Sequence, residues 1–403
     1  MIAETRDADE SWWNRLPDLS ELKLAYQSGG LQECKRLLER KLDEWKNVPL
    51  NVAVIGNSGV GKSSFINAIR RLTADDEGAA AVDVKECTDD IESYPHPNNP
   101  LLKFWDLPGV GTDRFPKQTY LDDIDVDSFD FFLLITADRF TENDTWLGNE
   151  FRKRNKKYFF VRTKIRVDIS NNKKAHPRTH NEETLVREIR ESTEEHLRAN
   201  GCEEVAVFLI DSYKLEKFDF DELEKHFVEK FPDLKRSVLI LSLDASGRDM
   251  IERKVEVLRS RIRINAALSA VLKSKSRVVK AAEFYCRQLG IDESSLKRLS
   301  EEKTADYEQL QSAVDRCLGC RITDEGGYWK LVEPIAAKTY ESMKSLENTF
   351  LPIFGIPSFL CRYKATRLTL HSLLMKIQDA ALEIAKLKAA ALYEANGADS
   401  DDD

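Results

Sequence analysis

The run Gly56-Asn57-Ser58-Gly59-Val60-Gly61-Lys62-Ser63 decides how this chain is read. It satisfies the pattern G-x-x-x-x-G-K-[ST] at every fixed position. Its context fits too: the apolar run LNVAVIG (50–56) before it reads as a strand, and SFINAIRRL (64–72) after it reads as a helix. The order has a physical basis. Glycines let backbone N–H groups turn inward around phosphate oxygens, and the helix N-terminus adds a favourable dipole. Residues Gly56, Asn57, Ser58, Gly59, Val60, Gly61, Lys62, Ser63 and Ser64 are therefore the expected phosphate-binding set. Lys62 would reach the β- and γ-phosphates as a point charge, and the Ser63 hydroxyl would ligate Mg²⁺.

Working outward, Trp105-Asp106-Leu107-Pro108-Gly109 places a carboxylate at the end of an apolar strand, followed by a Pro-Gly turn. After a loop of this kind, such a D-x-x-G element holds Mg²⁺ through its water shell with the carboxylate, here Asp106. It senses the terminal phosphate with the glycine N–H, here Gly109. Asp75–Asn99 lies between, rich in Gly, Ala, Pro and acids, and is expected to be a mobile switch loop. Within it Thr88 is the candidate second Mg²⁺ hydroxyl, and Glu86 a nearby carboxylate; both are candidate catalytic residues. Where a glutamine would orient the attacking water, directly after the switch glycine, stands Val110, which cannot polarise water. Any water-orienting group must come from elsewhere in the chain or from a partner.

A base-reading element is expected after a later strand, with the pattern [NT]-K-x-D. The chain offers Thr163-Lys164-Ile165-Arg166-Val167-Asp168. Thr163 and Lys164 fit. Arg166 occupies the aspartate position, and a guanidinium has five donors and no acceptor, so it cannot pair with the N–H groups on the Watson–Crick edge of guanine. Asp168, two residues on, takes over only if the loop is re-registered. The next expected base contact is the loop after the strand at 205–210, here Asp211-Ser212.

The rest of the chain places these motifs in a larger frame. With 403 residues, 42% hydrophobic and 33% charged, it has room for two or three domains and argues against general disorder. A net charge of −9 without a long basic run gives no reason to expect nucleic acid as a partner. Seven cysteines, few for the length and odd in number, read as reduced thiols in cytoplasm. No stretch approaches the ~18 apolar residues of a membrane span, MIAETRDADESWW has no secretory pattern, and Ile2 stands where N-myristoylation needs glycine.

Periodicity divides the chain. Residues 1–46 carry helical spacing, with Leu31, Cys34, Leu38, Leu42 and Trp45 on one stripe. Residues 47–245 alternate helical stretches with apolar runs at 52–56, 102–107, 131–136, 158–163 and 205–210, the pattern of an α/β domain with a mostly parallel sheet covered by helices on both faces. Residues 246–395 are helical, with Ile251, Val255, Leu258 and Ile262 on one face, and are expected to join 1–46 in a discontinuous all-helical domain. Residues 396–403 form an acidic tail. Cys317-Leu-Gly-Cys320 lacks a second ligand pair and reads as two thiols. His176 and His180, with Pro177 between them, read as loop residues, and Arg152–Lys157 as a solvated basic face. Leu351–Leu360, followed by Arg362, Lys364 and Arg367, reads equally as a buried connection or a membrane-docking surface.

At this point the chain resembles a family, the immunity-related GTPases of the interferon-inducible type. The resemblance rests on LNVAVIGNSGVGKSSFINAI (50–69), FWDLPGVGTDRFPKQTYL (104–121), DFFLLITADRF (130–140) and FFVRTK (159–164), with MIERKVEVLRSRI (250–262) and FYCRQLGIDESSLKRL (284–299) in the helical part. It implies a Ras-like G domain on a bundle of N- and C-terminal helices and binding of GTP and GDP with Mg²⁺. It also implies slow hydrolysis stimulated by self-association through the G domain, a cytoplasmic protein in peripheral contact with intracellular membranes, and a role in cell-autonomous defence. Lys62 matches the members bearing GKS, Glu86 a switch-loop acid at the nucleotide-dependent interface, and Thr88 the switch threonine. The chain departs from the family where Arg166 replaces the first aspartate of TKxDxD and where Val82-Asp83 replaces a Thr-Gly pair. Two readings from different classes follow: a GTPase that assembles through its nucleotide face, or a non-hydrolysing nucleotide-binding scaffold with relaxed base specificity. A P-loop ATPase or nucleotide kinase fits less well, because FWDLPG followed by TK after a later strand is the order of a G protein.

Overall fold

The computed structural model describes residues 19–398 except 83–90, 113, 139–140, 203–204, 246, 273, 302–304, 325 and 351–356. It divides into two compact units, Met1–Trp45 with Asp244–Asp403, and Lys46–Leu243.

The first unit opens with helix α1 (Leu19–Asp43), broken at Gly29–Gly30 where the backbone leaves helical geometry. The break redirects the stripe expected from the sequence. Cys34, Leu38, Leu42 and Trp45 are buried, whereas Leu31, one residue past the break, is 56% exposed.

The second unit follows, and in chain order its elements are β1 (Leu50–Ile55), α2 (Lys62–Ile69), β2 (Glu92–His96), β3 (Asn99–Leu107), the single turn α3 (Tyr120–Asp123), β4 (Phe131–Thr136), α4 (Glu142–Lys153), β5 (Tyr158–Arg162), α5 (Ile165–Ala175), α6 (Glu182–Ala199), β6 (Val207–Leu209), α7 (Phe220–Glu229) and α8 (Asp233–Ser242). They build a six-stranded sheet in the order β2-β3-β1-β4-β5-β6. All neighbouring pairs are parallel except β2–β3. The central strands are mostly apolar, as burial on both faces requires: every residue of β4 is buried, and Phe131, Phe132, Phe159 and Phe160 fill the space beneath the helices, whereas β3, next to the edge, alternates buried with exposed or partly exposed residues. Strand β2 corrects the expectation of a continuous switch loop over 75–99. Its sequence ESYPH is polar and mostly exposed because it is an antiparallel edge strand whose outer side faces solvent, and Pro95 sits where the register shifts.

The first unit resumes with α9 (Arg248–Leu272), α10 (Ser276–Gln288), α11 (Glu293–Glu301), α12 (Tyr307–Leu318), α13 (Gly327–Phe350) and α14 (Pro357–Ala398). Ile251, Val255, Leu258 and Ile262 of α9 are buried, as their spacing predicts. Helix α9 packs against α1 and α14. Arg261 donates to the carbonyl of Leu42 at the end of α1 and stacks over Trp45, while Arg277 of α10 pairs with Glu39. Thus the N-terminal helix and the C-terminal helices share one unit, which the α/β unit interrupts along the chain. Among the described residues no helix is long and apolar enough to cross a membrane. The acidic residues 399–403 lie outside the described residues, as do 351–356, and nothing is described of the side chains at 357–361.

Candidate nucleotide site

In a parallel sheet of this topology the loops after the strands gather at the carboxyl edge. Four of the predicted site segments, those after β1, β3, β5 and β6, are loops of that kind, and the sheet order brings them to one edge.

The loop after β1 runs from Gly56 to Gly61. A Cβ on Gly56 would lie 2.2 Å from the Ile135 carbonyl oxygen of β4, so the loop can leave the sheet there only without a side chain. Gly61 then starts α2 with φ at 94°, a left-handed conformation that glycine adopts freely. Asn57, Ser58 and Gly59 are exposed at the loop crest, and Val60 is buried behind it. Lys62 is 5% exposed; its Nζ donates to the carbonyls of Gly56 (3.1 Å) and Asn57 (3.4 Å) and stands 3.8 Å from Asp106 Oδ1.

Asp106 arrives from β3, where it pairs in register with Val54 of β1. Its Oδ2 accepts from the Ser63 hydroxyl at 3.2 Å, while Oδ1 is buried and accepts no hydrogen bond. Burial raises the Asp106 carboxyl above the ordinary carboxylate range, against the opposing pull of Lys62 and Ser63. A buried carboxylate with an unsatisfied oxygen beside a hydroxyl is a pair of hard oxygen ligands, the donor type that suits Mg²⁺. Two such ligands match an ion that keeps several waters and takes further oxygens from phosphates. Ser63 and Asp106 would hold that ion, and it would supply charge neutralisation between phosphate oxygens. Among the described residues no group of three or more His, Cys, Asp or Glu is disposed to hold a metal.

The switch glycine lies directly against this loop. A Cβ on Gly109 would come 3.3 Å from Asn57 Oδ1 and 3.4 Å from the Gly56 carbonyl oxygen. The turn is anchored from behind by Tyr120, fully buried, whose hydroxyl donates to the Pro108 carbonyl at 2.7 Å. Val110 is 6% exposed and belongs to the apolar core of the unit. Its side chain is therefore a packing residue and points to no role with water. Glu86 and Thr88 lie outside the described residues, as does Asp83; Val82 is exposed.

After β5, Thr163 is buried and its hydroxyl donates to the Val60 carbonyl at 2.5 Å, tying this loop to the phosphate loop. Lys164 adopts a left-handed conformation (φ 60°) at the start of α5 and reaches back to donate to the Gly59 carbonyl at 2.6 Å. Asp168 turns to Arg162 of β5, 2.8 Å away, one turn into α5. Arg166 turns the other way: its Nε lies 3.0 Å from Oδ2 of Asp211 in the loop after β6. Asp211 is 3% exposed, and Ser212 beside it is half-buried. The residue that sequence reasoning passed over is Tyr213, 70% exposed, whose hydroxyl stands 3.2 Å from Ser64 on α2. Its only sequence signal is an aromatic four residues past the end of β6.

The features read as unrelated to this site are elsewhere. Cys317 and Cys320 are free, partly buried thiols. His180 Nδ1 is 2.7 Å from Asn172 Oδ1. In the basic run, Lys153 and Arg154 pair with Glu150, and Lys156 with Asp127.

Comparison with known proteins agrees with this geometry. The sequence profile of the Interferon-inducible GTPase (IIGP) family matches residues 17–356. Interferon-gamma-inducible GTPase 10 of Mus musculus is 33% identical over 306 residues, covering 73% of this chain and 73% of its own. Interferon-inducible GTPase 1 of Mus musculus is 33% identical over 318 residues, 76% of this chain and 77% of its own. Interferon-inducible GTPase 5 of Rattus norvegicus is 30% identical over 319 residues, with 76% and 69% covered. With a P-loop whose lysine and serine meet the carboxylate of β3, and a family match over residues 17–356, this chain belongs to the interferon-inducible GTPase family.

Proposed function

We propose that the chain binds GTP and GDP with Mg²⁺ and hydrolyses GTP slowly. The observation that carries this reading is the convergence of Lys62, Ser63 and Asp106: a buried cation, a hydroxyl and a buried carboxylate with one unsatisfied oxygen, all at the mouth of the loop that follows β1. In this reading Lys62 and the loop N–H groups hold the phosphates, Ser63 and Asp106 orient the ion, and Gly109 follows the terminal phosphate. Charge stabilisation by prepositioned groups of this kind is the main contribution a protein makes to phosphoryl transfer.

Slow turnover by the monomer follows from Val110, which is locked in the core and offers no polar atom to a water. We propose that a second copy completes the site through the G-domain face, with Glu86 and Thr88 of the switch segment taking part. The relatives' names carry interferon induction, and to the same proposal belong a role in cell-autonomous defence and peripheral contact with intracellular membranes.

The test is calorimetric titration of the full chain with GTP, GDP and ATP in the presence of Mg²⁺, followed by turnover measured across a range of protein concentrations. Binding of GTP and GDP with specific activity that climbs with concentration supports the reading; a fast, concentration-independent rate contradicts it. The buried Val110 also favours a second reading, a nucleotide-binding scaffold, which a complete lack of turnover alongside normal GTP binding would establish.

A further inference from the structure

The phosphate half of the site leaves one buried carboxylate unused. Asp211 stands two residues past the end of β6, and the adjoining strands place it beside the β5 loop: Leu209 pairs in register with Arg162, and the Ile210 N–H donates to the Arg162 carbonyl at 2.8 Å. One oxygen of Asp211, Oδ1, accepts the Tyr213 N–H at 2.9 Å, which fixes the side chain against its own loop. The other, Oδ2, is buried and receives no aligned hydrogen bond, although Arg166 Nε lies 3.0 Å away. The loops that hold Asp211 and Arg166 also supply the groups that border the far end of the phosphate loop. Lys164 is bonded to Gly59, Tyr213 touches Ser64, and Arg166 stands at the position where the family's pattern places an aspartate.

We infer that Asp211 is the base-reading carboxylate of this chain, with Arg166 as its positioning residue. The inference rests on the reading that the site takes a guanine nucleotide, and it names the group that selects the base. The chemistry requires an acceptor for two donors, the ring N1–H and the exocyclic amino group of guanine. Arg166 has no acceptor to offer, and Asp168 is engaged by Arg162. Asp211 has an oxygen with an unused lone pair, held in place by a backbone N–H on one side and a guanidinium on the other. A charged acceptor facing two donors makes the stronger class of hydrogen bond. Xanthine replaces the amino group by a carbonyl, which a carboxylate repels and an amide can donate to. The arrangement therefore predicts a specific exchange of preference, because Asn in place of Asp offers both an acceptor and a donor.

The experiment uses the full chain with Mg²⁺ and measures binding of GDP, xanthosine diphosphate and ADP by calorimetry. The wild-type protein is expected to prefer GDP. Asp211→Asn is expected to lose about 10- to 100-fold in GDP affinity, the scale of an unpaired donor in a closed site, and to gain xanthosine diphosphate so that the order inverts. Should Asp211→Asn not fold, as judged by its thermal transition, Asp211→Ser keeps an acceptor for the Tyr213 N–H and is expected to lose GDP affinity on the same scale. GDP affinity unchanged in the folded variant, with no gain for xanthosine diphosphate, overturns the assignment of Asp211 while leaving guanine nucleotide binding intact. A wild-type protein that binds none of the three overturns both readings together.

Discussion

The two ends of the candidate site are built to different standards. At the phosphate end Lys62, Ser63 and Asp106 meet as the motifs lead one to expect, and they come from adjacent strands: Lys62 and Ser63 follow β1, and Asp106 lies near the end of β3. At the base end, Thr163 and Lys164 hold to the phosphate loop, but the aspartate position is an arginine and the carboxylates on either side have been drawn apart, Asp168 to Arg162 and Asp211 to Arg166. The difference follows from what each end must recognise. Phosphates are bound by backbone N–H groups and point charges whose positions the strand–loop–helix geometry sets. A base edge is read by individual side chains at loop ends, where one substitution reverses donor and acceptor. The phosphate end thus tolerates little change, and the base end can be rewired through a single ion pair.

The largest effect that would break this contrast belongs to Lys62. Replacing it by Ala removes a buried cation that faces two loop carbonyls and the Asp106 carboxylate. Affinity for any nucleotide, whatever its base, should fall by about 100-fold or more, since charge-assisted contacts to phosphate are lost together. Calorimetry on Lys62→Ala with GDP and ADP checks this; a loss confined to one base would move base selection into the phosphate end.

Asp106 offers the next test, and it can be read by pH. Because burial raises this carboxyl, the folded protein without nucleotide takes up the proton more readily than the unfolded chain. Its contribution to stability is fully present below the ordinary carboxylate range, about 4, and is lost as pH rises through the raised value. Mg²⁺-dependent nucleotide affinity runs the opposite way, falling as pH drops through that same value. Thermal unfolding of wild-type and Asp106→Asn proteins from pH 4 to 8 should show the difference between them growing toward neutral pH in favour of the asparagine variant. The variant should also lose the Mg²⁺ dependence of GTP binding. A pH-independent difference would show that Lys62 cancels the burial effect.

Val110 sharpens the comparison from the catalytic side. If its position were open to solvent, Val110→Gln would restore a water-orienting amide and speed hydrolysis. Since the side chain lies in the apolar core, the amide should instead cost about 1–3 kcal/mol of stability with no gain in turnover. Denaturant unfolding and single-turnover hydrolysis on the same preparation separate the two outcomes.

These contrasts also set how much of the fold and of the site is legible in the sequence. Strands β1, β4 and β5 announce themselves because burial on both faces demands nearly continuous apolar runs, β3 by the apolar residues around Lys103, and the phosphate loop because Gly56 is forced by the Ile135 carbonyl and Gly61 by its φ. Strand β2 was hidden, since an edge strand half in water needs no such run. Leu31 was misplaced because periodicity carries no record of the break at Gly29–Gly30. Arg166 was visible as a departure, but its partner was not. Residues 166 and 211 meet only through the pairing of β5 with β6, a contact that spacing along the chain does not encode. Glu86 and Thr88 rest on motif alone.

The smallest expected effect falls on Asp168, the residue that spacing favours as a substitute reader. The sequence argument for it is proximity: it lies two residues past the vacant aspartate position. Geometry argues otherwise, because α5 has already begun at Ile165, and two residues further along a helix turn a side chain to a different face. There Asp168 meets Arg162, whose guanidinium is mostly enclosed at the end of β5. If the base end is rewired as described, Asp168→Ala should leave GDP affinity within about twofold, because the helix holds its carboxylate against Arg162 rather than toward the base. Its cost should appear in stability, on the order of 1 kcal/mol, between an exposed pair that contributes almost nothing and a buried one whose loss strands a charge. Arg162→Met with Asp168→Ala should recover part of that loss, since removing both partners leaves no uncompensated charge. A large drop in GDP affinity with unchanged stability would reverse the assignment and return the reading of the base to α5.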